Sequence, residues 1–270
     1  MSTSTDRFQI LSLDGGGLRG LFTASFLTQL ESKKQLPVAD LFDLIVGTST
    51  GGIIALGLGL GFSAREILNL YIEHANDIFP TSWLGSTRQW VNTRYSADGL
   101  EATLRKYFGD KRLGDSRKRL VIPSYYPARG EVYIFKTPHH RRLENDYLED
   151  VTTVARATAA APTFLPELEK QSGIKLIDGG VWANNPALLG ITEAVGFLDQ
   201  PLSRIHLLRI GTTTTPISAD DYPNSPGKLK AAAPLIGIMM RAQDQSASNM
   251  SAHLLPQGNY HEVNPIVAPG

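Results

Sequence analysis

Short apolar segments of strand character alternate with segments of helical periodicity along most of this chain of 270 residues, and this alternation is what most limits its fold. The strand-like segments are 8–13, 44–46, 120–122, 132–135, 175–177 and 205–210. Strands that are joined through helices form parallel sheets with both faces covered. The pattern therefore predicts an α/β fold in three layers, α/β/α, around a mainly parallel central sheet.

The alternation runs through the chain without an internal repeat, which favours a single domain. We expect this domain to span residues 7–265, after a disordered N-terminal segment at 1–6. Asn185 and Pro186 are the residue types that begin helices, and they predict an N-cap and a first helical position there. A further helix is expected within 227–254.

Composition excludes several kinds of site and partner. The 26 basic and 26 acidic side chains give zero formal charge, which argues against a nucleic-acid polymer as partner. The absence of cysteine excludes disulfides, thiolate metal sites and a cysteine nucleophile. Since no group of histidines and carboxylates has the spacing of metal ligands, we expect neither a metal nor another cofactor.

No segment has the length and hydrophobicity of a membrane anchor. The most apolar run, residues 53–61, is too short and too rich in glycine to span a bilayer. The first ten residues lack the basic and apolar regions of a signal peptide. We therefore expect a soluble protein that touches a membrane at most from outside.

Three glycine-rich loops follow predicted strands, and ligands of parallel sheets bind beyond the carboxyl ends of strands. One loop is Gly47-Thr48-Ser49-Thr50-Gly51, a G-x-S-x-G sequence between a strand and a helix. Its two glycines allow a sharp turn that exposes the Ser49 hydroxyl as a nucleophile. The N–H of Thr50 can then point at a developing oxyanion, although a plain glycine turn is the alternative interpretation.

An earlier loop reads Asp14-Gly15-Gly16-Gly17-Leu18-Arg19-Gly20. Consecutive glycines expose backbone N–H groups at the start of a helix, which suits an oxyanion hole or a phosphate. Gly15, Gly17 and Gly20 also satisfy the G-x-G-x-x-G pattern of dinucleotide-binding proteins. Arg19 could hold an anionic head group, brace the loop or remain solvated, and we expect Asp14 to fix the turn.

The third loop is Asp178-Gly179-Gly180. Alone it would be an ordinary Asp-Gly turn. Beside the other two loops, Asp178 completes a set for acyl transfer: a nucleophile, a base and donors for an oxyanion.

Histidine is the usual base of serine hydrolases, but no histidine that comes after Asp178 lies in a loop that presents it at a predicted strand end. Only His206, His253 and His261 come after Asp178, as a Ser, Asp, His order requires. Two alternatives to a Ser–Asp pair therefore stay open. One is a histidine-assisted esterase, and the other is a non-catalytic nucleotide-binding module built on the glycine-rich loop.

The three loops, in this order, resemble those of the patatin-like phospholipase family. Secondary similarities are residues 159–164 before Asp178 and residues 181–186 after it. The resemblance covers about residues 7–265, and it is closest to the bacterial branch of the family. The segment 178–186 is also similar to phospholipase effectors of bacterial anti-phage defence that cyclic dinucleotides switch on.

This resemblance implies a lipid acyl hydrolase of the phospholipase A type with a patatin-like fold and no catalytic histidine. Carried over by position, Ser49 is the nucleophile and Asp178 is the base. Residues 15–20 form the oxyanion loop, supported by the turn glycines Gly47, Gly51, Gly179 and Gly180. The implied partners are a phospholipid membrane surface and a cyclic dinucleotide activator, and the implied location is the cytoplasm at the inner face of the membrane. The sequence leaves a monomer and a homo-oligomer open.

Overall fold

The computed structural model of the chain describes residues 7–74, 97–162, 164–214 and 232–267. Eight strands form its central sheet, in the order β5-β6-β3-β2-β1-β7-β8, with β4 paired to β3. The strands are β1 (Phe8–Leu13), β2 (Leu44–Gly47), β3 (Arg119–Tyr126), β4 (Glu131–Lys136), β5 (Leu168–Glu169), β6 (Lys175–Asp178), β7 (Ile205–Ile210) and β8 (Tyr260–Val263).

The sheet is mixed and mainly parallel, as the alternation predicts. Four pairings are parallel: β3 with β2, β2 with β1, β1 with β7, and β7 with β8. The pairings of β3 with β4, β3 with β6 and β5 with β6 are antiparallel. Antiparallel pairs do not need a helical crossover, which is why a short connection suffices between β3 and β4.

The described helices are α1 (Gly20–Lys34), α2 (Thr50–Gly59), α3 (Ala64–Glu73), α4 (Asp98–Phe108), α5 (Val151–Thr158), α6 (Gly180–Ala183), α7 (Ala187–Gly196) and α8 (Ala232–Leu254). A capping box begins α3: the Ser63 hydroxyl accepts from the Glu66 N–H, and the Glu66 carboxylate accepts from the Ser63 N–H. Gly109 ends α4 at a positive φ of 57°.

Both faces of the sheet are covered, so the molecule has three layers. Leu11 and Leu13 of β1 belong to one apolar core, which α1 to α5 cover. Phe8 and Ile10, on alternate positions of the same strand, belong to a second core with residues of α7. Because side chains alternate between the faces of a strand, β1 supplies apolar residues to both cores.

Helix boundaries and edge strands are where the sequence predictions differ from the structure. Helix α7 begins at Ala187, one residue later than predicted, with Pro186 as its N-cap residue. The Asn185 side chain still accepts the Ala187 N–H at 3.0 Å, as expected of a capping residue. The edge strands β5 and β8 were not predicted. Residues 1–6 and the first part of the predicted helix at 227–254 lie outside the described residues.

Candidate active site

Ser49 lies at the turn between β2 and α2, where it is the N-cap residue of the helix. Its backbone has φ 54° and ψ −122°, a positive φ that is unusual for a residue other than glycine. The turn is tight: a Cβ on Gly47 would lie 2.3 Å from the Gly51 carbonyl oxygen, and a Cβ on Gly51 would lie 2.3 Å from the Leu13 oxygen. Glycine is therefore required at both positions that the sequence singles out.

The Ser49 backbone is held by a buried side chain from another part of the chain. Its N–H donates to the Thr158 hydroxyl at 3.0 Å. That hydroxyl donates in turn to the carbonyl oxygen of Pro123 at 2.7 Å. Ser49 itself is only 8% exposed. The contacts fix the residue in its strained turn.

Asp178 is the last residue of β6, and it pairs with Ser124 of β3. It is 5% exposed, and the Gly180 N–H donates to its Oδ1 at 2.6 Å. Burial raises the pKa of Asp178 to about 6, against the lowering effect of the hydrogen bonds from the Gly180 N–H and the Ser49 hydroxyl. The structure thus places the Ser49 hydroxyl close enough to Asp178 to lower the pKa of that carboxyl group.

Backbone donors without an acceptor occur in the glycine-rich loop and in the Ser49 turn, which approach each other at Gly15 and Ser49. Among the described residues, no acceptor takes the N–H groups of Gly16, Gly17 and Thr50. Gly17 has φ 57°, in the region that favours glycine. The Gly15 N–H is already used, since it donates to the Asn184 oxygen at 3.0 Å. Three N–H groups of these two loops are thus without an acceptor among the described residues, as the donors of an oxyanion site must be before substrate binds.

The glycine-rich loop that carries these donors fits closely against its neighbours. A Cβ on Gly15 would lie 2.5 Å from the Asn184 side chain and 3.3 Å from the Ser49 Cβ. A Cβ on Gly16 would lie 2.1 Å from the Thr212 hydroxyl oxygen. That hydroxyl donates to the Gly15 carbonyl oxygen at 3.0 Å. The loop therefore has no room for side chains at these positions.

Asp14, at the start of the loop, is anchored by a buried arginine of β7. The Nε of Arg209 donates to Asp14 at 3.0 Å, and its Nη2 contacts the same carboxylate. Arg209 is 1% exposed and also binds Asp244 and Ser248 of α8 and Glu262 of β8. Burial opposes its charge, but the three carboxylates outweigh this effect and raise the pKa of Arg209.

Helix α8 is tied to the Asp178 loop as well as to the glycine-rich loop. The Asn185 side chain donates to the Asp244 carbonyl oxygen and to the Ser248 hydroxyl, each at 3.0 Å. The Gln243 side chain accepts from the Asn185 N–H at 3.2 Å and donates to its carbonyl oxygen at 3.2 Å. One helix thus connects the segments that follow β6 and β1.

Thr50, next to the nucleophile candidate, is braced by α3. Its hydroxyl lies 2.6 Å from the Tyr71 hydroxyl, which also donates to the Thr50 carbonyl oxygen at 3.0 Å. On the other side, a Cβ on Gly20 would lie 2.2 Å from the Thr50 hydroxyl oxygen. Arg19 is exposed and its Nη1 donates to the Thr213 carbonyl oxygen at 3.1 Å, so it braces the glycine-rich loop.

The histidines lie elsewhere. No histidine contributes to the hydrogen bonds or charges that shift the pKa of Asp178. His139 contacts Glu193 at 2.8 Å, and His140 packs edge-on against Phe197. His206 is half-buried on β7, near Arg7 and His261. Within the described part of the chain, a Ser–His–Asp arrangement therefore has no histidine at Asp178.

A search of the described residues finds no group of three or more histidine, aspartate or glutamate side chains arranged to hold a metal ion. The carboxylates of Asp14, Asp244 and Glu262 do converge, but the guanidinium of Arg209 lies among them.

Within the described residues, no helix combines the length and apolar character needed to cross a bilayer.

Sequence reasoning missed the residues that support the site from outside the three loops. They are Thr158, Asn184, Tyr71 and Arg209. Only Asn184 carried a signal, because it falls in the segment 181–186 that resembles the family. The others occupy ordinary positions in helices and a strand, and only their contacts in the fold mark them.

A serine at a strand-to-helix turn, facing a buried carboxylate beside unpaired N–H groups, is an arrangement typical of serine hydrolases. The family model described as patatin-like phospholipase matches residues 11–191. The chain belongs to the patatin-like phospholipase family.

Several curated relatives are named cGAMP-activated phospholipase. The relative from Pseudomonas aeruginosa (strain BWHPSA011 / Pa011) is 34% identical over 276 residues, covering 99% of this chain and 81% of the relative. The relative from Escherichia coli (strain TW11681) is 36% identical over 238 residues, which cover 83% of this chain and 65% of the relative. The relative from Vibrio cholerae serotype O1 is 34% identical over 270 residues, which cover 92% of this chain and 75% of the relative.

Proposed function

We propose that this chain hydrolyses fatty acyl esters of phospholipids through a covalent acyl-Ser49 intermediate. The observation that carries the proposal is the placement of the Ser49 hydroxyl beside the buried Asp178 carboxyl group, whose pKa it lowers. Three N–H groups in the adjoining loops have no acceptor among the described residues. A nucleophile, a base and an oxyanion site are the parts that acyl transfer needs.

In the first half of the reaction the Ser49 Oγ attacks the ester carbonyl carbon while its proton passes to Asp178. The carbonyl oxygen becomes an oxyanion, which accepts hydrogen bonds from Gly16, Gly17 and Thr50. When the tetrahedral intermediate collapses, Asp178 returns the proton to the departing lysophospholipid alcohol. The fatty acyl group stays on Ser49.

In the second half a water molecule takes the place of the alcohol. Asp178 accepts its proton as the water attacks the acyl carbon, and the same N–H groups stabilise the second oxyanion. Collapse releases the fatty acid and returns the proton to Ser49. The pKa of Asp178, raised by burial to about 6, suits both duties better than an ordinary carboxyl group does, because a base works best when its pKa lies near the working pH.

We further propose that a cyclic dinucleotide activates the enzyme and that it acts at the inner face of the cytoplasmic membrane. The activator is supported by the relatives, which are named cGAMP-activated phospholipase. The location is supported by the substrate, since a phospholipase must reach a lipid surface.

The test is hydrolysis of phospholipid vesicles by the purified chain. Vesicles of phosphatidylethanolamine and phosphatidylglycerol are incubated with the protein, with and without cGAMP, and free fatty acids and lysophospholipids are measured by mass spectrometry. We expect both products in equal amounts, at a rate that cGAMP increases. Equal rates with and without cGAMP would remove the activator from the proposal, and no release in either condition would overturn the phospholipase function.

Two substitutions connect the activity to the site. Ser49→Ala and Asp178→Asn should each abolish hydrolysis while the protein stays folded. Ser251→Ala is the matched control, because the Ser251 hydroxyl is buried and without a partner among the described residues, and it should retain wild-type activity. Turnover by Ser49→Ala at the wild-type rate would contradict the acyl-Ser49 intermediate.

A further inference from the structure

The C-terminal end of α5 contacts both members of the Ser49–Asp178 pair. At its last residue, the Thr158 hydroxyl accepts the N–H of Ser49 at 3.0 Å. Two residues further on, the carbonyl oxygen of Ala160 accepts the N–H of Asp178 at 3.0 Å. One short segment thus holds the backbones of two residues that lie far apart in the sequence.

Both the hydroxyl and the methyl group of the Thr158 side chain make contacts in this position. Its hydroxyl donates to the Pro123 carbonyl oxygen at 2.7 Å while it accepts from Ser49. Its methyl group packs against α2, since a Cβ on Gly52 would lie 2.8 Å from the Thr158 Cγ2. Thr158 is completely buried, so bulk solvent does not reach its hydroxyl.

The backbone of Ser49 needs such a partner. Its φ of 54° is unfavourable for a residue with a side chain, and a strained residue keeps its conformation only where its surroundings hold it. A buried N–H without an acceptor would add to this cost. The bond to Thr158 both satisfies the N–H and fixes the direction of the Cα–Cβ bond that carries the nucleophilic oxygen.

We propose that Thr158 is a positioning residue for the reaction, holding the Ser49 backbone so that its hydroxyl faces Asp178. The proposal rests on the proposed function, because it assigns Thr158 a role in the chemistry of that same pair. It also explains why Thr50, and not Ser49, supplies an N–H to the oxyanion: the Ser49 N–H is already bonded to Thr158.

The test compares three substitutions in one helix. Thr158→Val keeps the shape of the side chain and removes the hydroxyl, whereas Thr158→Ser keeps the hydroxyl and removes the methyl group. Thr152→Val is the matched control, because Thr152 lies in α5, is buried, and has a hydroxyl without a partner among the described residues. The kcat and KM for phospholipid are measured together with thermal unfolding, and Ser49→Ala is assayed alongside.

We expect Thr158→Val to lower kcat by about 10- to 100-fold with little change in KM, because a small misplacement of a reacting group has an effect of this size. Thr158→Ser should stay within about 3-fold of the wild type, and Thr152→Val should match it. In Thr158→Val the acid limb of the kcat profile should also move to higher pH, since the Ser49 hydroxyl no longer lowers the pKa of Asp178.

A purely structural role would give a different result. The proposal is overturned if Thr158→Val, folded as judged by thermal unfolding, keeps the wild-type kcat and pH profile. It is equally overturned if Thr152→Val loses as much kcat as Thr158→Val. These outcomes differ from failure of the proposed function, in which Ser49→Ala itself remains active.

Discussion

Replacing Asp178 by asparagine should inactivate the enzyme and, at neutral pH, make it more stable. Burial raises the pKa of this carboxyl group from an ordinary 3.8 to about 6. At about 1.4 kcal/mol for each tenfold change in the ionisation constant, the ionised carboxylate disfavours the folded state by about 3 kcal/mol. Asparagine has nearly the same shape and carries no charge, so the variant escapes this cost.

The sign of the pH dependence follows from the direction of the pKa shift. Below pH 3.8 the group is protonated in both the folded and the unfolded chain, and its ionisation does not affect stability. Between 3.8 and about 6 the folded protein holds its proton more tightly, so wild-type stability falls as the pH rises. Above pH 6 the Asp178 carboxylate is ionised in the folded protein, which then bears the full destabilisation of about 3 kcal/mol.

The assay is thermal unfolding of wild type and Asp178→Asn at several pH values from 4 to 8. For a chain of this length, about 3 kcal/mol corresponds to an increase in Tm of about 5 to 10 °C. The difference between the two proteins should therefore be small at pH 4, grow up to pH 6 and then stay constant. A difference that is independent of pH, or a variant less stable than the wild type at pH 8, would refute the reasoning.

Two other pairs of substitutions test the parts that support the site. Arg209→Gln should lower stability by about 3 to 5 kcal/mol, because it leaves the buried Asp14 carboxylate without its cation. Arg105→Gln breaks only an exposed ion pair and should cost at most about 0.5 kcal/mol in urea unfolding. Similar losses in both variants would contradict the assigned burial. Gly16→Ala should reduce kcat at least about 10-fold, because its Cβ would clash with Thr212, while Gly196→Ala has open space and should keep wild-type kcat and stability. Wild-type turnover by Gly16→Ala would show that the loop tolerates a side chain.

The sequence was sufficient to predict the central strands because each carries its own signal. β1 and β7 are each rich in large apolar residues, with four of six positions occupied by Phe, Ile or Leu, and buried parallel strands have this character. The edge strands β5, with two residues, and β8, with polar residues exposed on it, lack such runs. They are strands only because a neighbouring strand offers them hydrogen-bonding partners, and this information is not local.

The site also has parts that the local sequence predicts and parts that only the fold brings together. The three glycine-rich loops could be recognised because each needs particular residue types at fixed spacing, as the close approaches at Gly47 and Gly51 make plain. The supporting contacts could not be recognised in this way. Ser49 and Thr158 are 109 residues apart, and Asp14 and Arg209 are 195 residues apart. Nothing in the local sequence of Thr158 or Arg209 indicates which partner the fold will bring to it.

The central claim, that Ser49 is a nucleophile with Asp178 as its base, is tested most directly by covalent labelling. The intact protein is treated with an alkyl fluorophosphonate between pH 4.5 and 8.5, with and without cGAMP, and the adduct is followed and mapped by mass spectrometry. We predict one adduct, on Ser49, forming at a rate that rises through an apparent pKa of about 6 and is lost in Asp178→Asn. An adduct on another residue, or labelling of Ser49 that proceeds unchanged in Asp178→Asn, would contradict the claim.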